Sequence, residues 1–317
     1  MRIPFRVPTQ DSHPFDVVGL GENSVDQLVV LAEYPTSNSK QRLQRFARQP
    51  GGQIATALTA CARLGLKGRY LGRFGDDEYG RTARESLTVE GVDTSSAMTI
   101  PGATNQFSII LVDGRTGERT VLWDRHPALT IEPADVSAEA VTSGRALMLD
   151  CVDTAAATHA ARLARDAGIP TILDVEKTRP GILDLLQHVD AIFAAQDFPV
   201  ALTGHEDLGR ALDALARDSN ARLVCVTLGR DGSLARCGSR EIRTPAFPID
   251  CVDSTGAGDV FRGAFVAACL RAPDGDVEDA LIFANAAAAL NCRALGARGA
   301  LPRYHEVEQL MVARPHM

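Results

Sequence analysis

Residues 252–265, VDSTGAGDVFRGAF, set Gly256, Ala257 and Gly258 directly before one carboxylate, Asp259, and then run into apolar sequence. A helix start favours Ser, Thr, Asp or Asn as its cap, and Ser254 or Thr255 can meet that need. Two glycines beyond them are more than a cap requires. The first N–H groups of a helix lack intrahelical partners, its dipole end is positive, and glycine lets an anion approach the main chain. A phosphate fits that description. Val260, Phe261, Ala264, Phe265, Ala268 and Cys269 follow at i, i+4 spacing, which anchors one helix face and holds the start rigid. Asp259 cannot favour a phosphate by charge, so its position suggests removal of a proton from a neighbouring hydroxyl that attacks phosphorus. The plainer alternative is a glycine turn in which Asp259 steadies the helix N-terminus through the macrodipole.

The elements that must hold this segment are legible upstream. Between residues 145 and 228, RALMLD, PTILDV, DAIFAA and RLVCVTLG read as strands, and TAAATHAARLARDAG, RPGILDLLQH and EDLGRALDALARD between them as helices. Such alternation predicts βαβ units and a mostly parallel sheet with helices on both faces, ligands gathering at the carboxyl ends of the strands. A hairpin is expected near 232–246, and DVEDALIFANAAAALNCRA forms a helix after the glycine segment. The N-terminal half differs. After the strand FDVVGLG come QLVVLAEY, KQRLQRFAR, SSAMTI, NQFSIILVD and RTVLWDR, strands without intervening helices. They predict a small, mostly antiparallel sheet, inserted at about 27–49 and 94–125, that serves as a substrate lid, an oligomer interface or both. Residues 1–14, with three prolines, read as a flexible tail, and 15–313 as the domain.

Composition narrows the function. At 317 residues and 45% hydrophobic content the chain buries a large core, and a formal charge of −7 argues against a general affinity for nucleic acid or anionic membrane. Any anion must be held locally. The 7 cysteines (Cys61, Cys151, Cys225, Cys237, Cys251, Cys269, Cys292) are odd in number and contain no C-x-x-C, so they read as reduced thiols of a cytoplasmic protein. No H-E-x-x-H occurs, no signal peptide is evident, and no apolar run is long enough to span a membrane. Gly19-Leu20-Gly21 hints at a dinucleotide site, but Ser24 stands where the third glycine of G-x-G-x-x-G belongs.

The segment DSTGAGDVFRGAF resembles the C-terminal signature of the ribokinase, or PfkB, family of carbohydrate kinases, and PGGQIATALTACARLGLKGRYLGRFGDDEYG (50–80) resembles its N-terminal signature. The resemblance covers nearly the whole chain after the tail. It implies an α/β fold, a Rossmann-like αβα sandwich with a small β-sheet lid, and transfer of the ATP γ-phosphoryl group to a sugar hydroxyl with Mg2+, a monovalent cation being left open. By it Asp259 is the base, and the backbone of Gly256, Ala257 and Gly258 is the anion hole. By the same resemblance Asp26 matches the aspartate that grips sugar hydroxyls, and Gly51, Gly52, Gln53 and Thr56 occupy the sugar-contact segment. Gln53 and Thr56 depart from the ribokinase pattern of Lys or Asn followed by Asn, which turns the expectation away from ribose. Thr227, Gly229 and Gly232 in VTLGRDGSL match the ATP loop, and Asn285 the residue near adenine.

A second departure concerns the metal. Many relatives carry N-x-x-E before an LTG, but here AAQDFPVALTG puts Ala195 and Phe198 at those places, leaving Gln196, Asp197 or the nucleotide itself to organise magnesium. GDDEYG (75–80) reads as a turn capped by Asp76 rather than a metal site. LDVEK and KQRLQRFARQPGG resemble ketohexokinase, whereas GGQIATA and ALNCRALGARGALP look closer to sulfofructose kinase. A neutral ketohexose is the expected acceptor. Lys40, Arg42, Arg45 and Arg48 leave open an anionic sugar, with Arg42 and Arg48 on one side of an extended strand and Arg45 on the other. A nucleoside kinase and a non-catalytic sensor are the other readings, and a homodimer through the lid is the expected assembly.

Overall fold

The computed structural model describes residues 1–313. β1 (Phe15–Leu20) opens the main sheet, and β2 (Ser24–Leu31) and β3 (Arg45–Gly51) leave it as an antiparallel pair. α1 (Gln53–Arg63) returns the chain to β4 (Gly68–Leu71), parallel to β1. β5 (Arg73–Gly75), α2 (Glu78–Val89) and β6 (Met98–Ile100) precede a second excursion, β7 (Phe107–Asp113) and β8 (Arg119–Asp124). Strands and helices then alternate: α3 (Ala138–Val141), β9 (Gly144–Leu149), α4 (Thr154–Asp166), β10 (Thr171–Val175), α5 (Ile182–Leu185) and β11 (Ala191–Ala194). α6 (Asp197–Thr203), α7 (Leu208–Asp218) and β12 (Leu223–Thr227) follow. The hairpin β13 (Ser233–Cys237) and β14 (Arg240–Thr244) leads to α8 (Ala257–Arg271), α9 (Val277–Asn291) and α10 (Tyr304–Val312).

The main sheet has the order β14-β13-β12-β11-β10-β9-β1-β4, parallel from β12 to β4, with the hairpin antiparallel at one edge. Its strands are apolar on both faces because both are covered. Val17, Met148, Ile172, Phe193 and Cys225 pack with α1, α8 and α9, while Val18, Leu147, Leu173, Ile192 and Val224 pack with α4 and α7. This period of two across helix-covered strands fixes the register, since a slip of one residue exchanges the two cores. At the β1/β9 junction the strand order reverses, and the crevice side of the lid is the side on which Asp26 comes within electrostatic reach of Asp259.

The lid runs β3-β2-β7-β8, with antiparallel pairs at both edges and a parallel β2–β7 pair at its centre. Paired residues share a face, so Gln49, Asp26, Ser108 and Trp123 form one row on the crevice side. Leu28, Ile110 and Val112 on that side meet Leu295, which fastens the lid to the segment after α9. Arg48, Gln27, Ile109 and Leu122 form a row on the outer side.

Three expectations change. Residues 1–14 are not loose: Ile3 and Phe5 are buried in the core, the Ile3 amide donates to the Gly275 carbonyl (3.1 Å), and Arg145 donates to the Pro8 carbonyl (2.9 Å). Hydrophobic residues spaced between prolines bury without forming a regular element. SSAMTI contributes β6, which pairs with β5 and not with the lid. The basic strand begins only at Arg45, so Lys40 and Arg42 lie outside it. Among the described residues no helix is long and apolar enough to cross a membrane.

Candidate active site

α8 starts at the carboxyl edge of the sheet without a side-chain cap. Gly256 holds its N-cap at φ 73°, and a Cβ there would lie 2.5 Å from the Ala297 carbonyl oxygen, so glycine is required. Thr255, offered by the sequence as a cap, instead gives its amide (2.9 Å) and hydroxyl (2.7 Å) to Asp253. Asp253, fully buried, also accepts the Gly296 amide (2.8 Å) and so ties this loop to the one after α9. Ser254 accepts from Arg119 of the lid (2.9 Å). The Ala257 amide donates to the Ser254 carbonyl (3.2 Å), and the amides beside it at the start of α8, which have no side-chain cap, can meet an anion.

Asp259 occupies the first turn of α8 and accepts a hydrogen bond from Arg262, whose guanidinium also pairs with Asp174 on β10. Burial pushes Asp259 up to about 7 despite the opposing pull of Arg262; Glu176 and Asp26 push the same way and Arg119 against. Burial likewise holds Asp174 well above the usual carboxylate range. A carboxylate poised near neutrality can take a proton at pH 7 and exist ionised beforehand.

Asp26, on lid strand β2, lies within electrostatic reach of Asp259. It is 4% exposed, accepts from Ser24 (2.8 Å) and Ser108, and burial raises it above its ordinary value against the pull of these hydroxyls and Arg298. Gly51 and Gly52 explain themselves here. A Cβ on Gly51 would sit 2.0 Å from the Asp26 carboxylate, and Gly52, at φ 87°, caps α1 with its own Cβ position 2.4 Å from the Asn23 backbone. Gln53 begins α1 partly exposed. Thr56 is fully buried, and its hydroxyl accepts from Arg298 (3.2 Å), so any part it takes in sugar contact runs through that arginine. Arg298 also donates to the Gly51 carbonyl (2.8 Å) and Ser86 (3.0 Å), stitching the segment in place.

At the other end of the crevice, Thr227 ends β12, and Gly229 and Gly232 bound the turn into the hairpin. Leu228, Arg230, Asp231, Arg243, Pro245, Ala246, Gln196 and Leu208 line an open cleft of about 530 Å³ beside it. Asn285 does not line this cleft: its amide donates to Ser233 (3.2 Å) and Thr244 (2.8 Å), locking α9 to the hairpin. Phe198 is 1% exposed in the core, whereas Gln196 and Asp197 are exposed at the end of β11. Among the described residues no group of three His, Cys, Asp or Glu side chains is arranged to hold a metal ion. In GDDEYG the cap of α2 is Asp77, which accepts the Gly80 amide (2.9 Å), while Asp76 accepts that of Gly102 (2.8 Å).

Residues 17–303 match the model of the pfkB family carbohydrate kinases. The chain belongs to the PfkB family. It is 30% identical over 302 residues to the ribokinase of Bacillus subtilis, spanning 92% of this chain and 98% of that protein. Fructokinase-1 of Oryza sativa subsp. japonica is 27% identical over 325 residues, spanning 93% and 97%. The fold superposes on Arabidopsis thaliana ribokinase complexed with ribose and ATP at a TM-score of 0.79, with 23% identity over 94% of this chain and 98% of that one. This PfkB protein is thus a ribokinase-like α/β enzyme, an ATP-dependent carbohydrate kinase.

Sequence reasoning missed Arg262, Asp174, Arg298, Ser108 and Trp123. Asp174 carried a signal, a carboxylate inside a run of strand residues, and Arg262 lay within the signature itself. Ser108 and Trp123 join the row only through strand register.

Proposed function

We propose that this enzyme phosphorylates a hydroxyl of a neutral ketohexose, with Asp259 as general base and the amides of Gly256, Ala257 and Gly258 as the anion hole. The observation that supports it most is the uncapped start of α8 beside a largely buried carboxylate, with Asp26 within electrostatic reach of it. Asp26, Ser108 and the half-exposed Trp123 give the acceptor a hydrogen-bonding and an apolar surface in one cross-strand row, backed by Gly51, Gly52 and Gln53. Asp259 takes the hydroxyl proton as the sugar oxygen attacks the γ-phosphorus, and ADP departs into the cleft beside Thr227, Gly229 and Gly232. The amides of α8 stabilise charge developing on the transferred group, an effect worth about 3–4 kcal/mol per donor in comparable enzymes.

Magnesium suits a nucleotide-carried ion here, because Phe198 is core and only Gln196 and Asp197 are exposed at the end of β11. Bound with ATP it would neutralise phosphate charge, with Asp197 reached directly or through water. The anionic-sugar reading has less support: Arg48 is engaged by Glu78 (2.8 Å) and lies over Tyr79, on the outer side of the lid. Exposed Phe46, Ile109 and Leu122 on that outer side support a homodimer through the lid, and seven unpaired cysteines support a cytoplasmic setting.

The test is ATP consumption with a panel of fructose, ribose, sugar acids, a sulfonated ketose and nucleosides. Fructose is expected to give the highest kcat/KM. Preference for an acidic sugar or a nucleoside moves the substrate assignment, and no turnover with any of them refutes the catalytic reading.

A further inference from the structure

We infer that Arg262 is the positioning residue of the base and Asp174 its counter-charge, the two together aiming the Asp259 carboxylate and setting the pH at which it works. This rests on Asp259 acting as the base. Arg262 lies one turn along α8, and its Nη2 is shared between Asp259 Oδ1 and Asp174 Oδ2. All three side chains are removed from water, at 14%, 11% and 2% exposure for Asp259, Arg262 and Asp174.

Asp174 is the telling member. Strand alternation places it on the α8 side of the sheet with Ile172, while Leu173 and Val175 face the other core. Among the described residues its carboxylate oxygens take no hydrogen bond, and the ion pair with Arg262 is the contact that offsets its burial. Leaving a buried carboxylate with one partner is costly, and a hydrophobic residue would serve stability better. Its evident effect is on charge. Arg262 alone would hold Asp259 ionised at low pH and make it a poor proton acceptor; Asp174, sharing the same guanidinium nitrogen, draws that nitrogen partly away from Asp259 and weakens its pull. Removing Arg262 would instead set two buried carboxylates together, and one of them would keep a proton at neutral pH.

The other charged groups near Asp259 do not duplicate this. Glu176, exposed just past β10, and Asp26 of β2 raise its affinity for a proton; Arg119 of β8 lowers it, and Arg298 lies within reach of both Asp26 and Asp259. Arg119 is tied to Ser254 and Arg298 to Gly51, Thr56 and Ser86. Arg262 is the group bonded to the base itself.

The experiment is kcat/KM for the sugar against pH in the full-length enzyme. Arg262→Gln should move the acid limb up by about one pH unit or more and Asp174→Asn should move it down by a similar amount, opposite signs that general loss of structure cannot give. Arg262→Lys keeps the charge and serves where the glutamine variant fails to fold: its limb should stay near that of wild type while kcat falls about tenfold, as expected for lost orientation. If Arg262→Lys retains full kcat, or if Asp174→Asn leaves the limb in place or moves it upward, the inference is overturned. Asp259→Asn separates the two readings. Turnover surviving in that variant removes Asp259 as base, whereas its loss combined with unmoved limbs removes only the roles of Arg262 and Asp174.

Discussion

Asp26 is buried and Asp259 largely so at the mouth of the crevice, and each has an arginine nearby, yet the two sites are built differently. Asp259 is bonded to Arg262, stands on a helix packed into the main core, and is pushed to about 7. Asp26 is bonded to hydroxyls, stands on a lid strand, and feels Arg298 only through space. The role proposed for Asp259, a proton acceptor, requires titration near working pH, and its environment balances burial against a charge in contact. A hydroxyl-binding carboxylate has no need to titrate; it must keep lone pairs directed at the ligand, and neutral donors such as Ser24 leave them less engaged than a guanidinium would. The arginines follow their tasks: Arg262 acts on a carboxylate, and Arg298 on the backbone that frames one.

The sharpest way to break this comparison is Asp259→Asn, for which kcat should fall by about 10²–10⁴ with ATP and sugar binding within about tenfold. Retention of half the wild-type kcat would show that the two aspartates do not differ in kind. The same variant has a stability signature. The folded-state pKa of Asp259 is raised from 3.8 to about 7, so its favourable contribution is present below the unfolded value and lost as pH rises through 7. Melting curves should therefore show Asn gaining on Asp between pH 5 and pH 8; a constant difference across that range contradicts the raised value. Wild-type kcat/KM should fall about tenfold per pH unit below neutrality.

Next in size, Asp26→Ala should weaken sugar binding by roughly 2–4 kcal/mol through loss of a charge-assisted acceptor, with ATP affinity almost unchanged. An unaltered sugar KM would make Asp26 a structural residue. Arg298→Met should raise sugar KM by about tenfold while leaving the acid limb of kcat/KM in place, since it frames the Gly51 segment and its hydrogen bonds go to Gly51, Thr56 and Ser86 rather than to Asp259. A shifted limb would mean that both arginines tune Asp259. The smallest effect is expected at the lid's basic edge: Arg45→Ala should change kcat/KM for fructose less than about twofold, because exposed charges contribute little. A selective loss with an acidic sugar would restore the anionic acceptor.

Much of this site was legible because it is local. The run from Gly256 to Asp259 and the pair Gly51-Gly52 carry their chemistry in consecutive residues, where backbone freedom and a nearby carboxylate can be read together. Thr56 and Asn285 were legible as polar residues but not in their partners, which arrive from distant segments: Arg298 to one, the β13–β14 hairpin to the other. The N-terminal segment misled because its prolines signal irregular backbone, which Ile3 and Phe5 bury all the same.

By itself the sequence determined the alternating α/β array, the two glycine segments and Asp259, since periodicity and backbone permissiveness are properties of neighbouring residues. Tertiary structure decided which charges meet. Strand alternation turned Asp174 toward α8, register aligned Asp26 with Ser108 and Trp123, and the loop after α9 delivered Arg298 beneath Gly51. Burial then set the proton affinity of Asp259, because desolvation and charge act through space and depend on what packs around a carboxylate rather than on what precedes it in the chain.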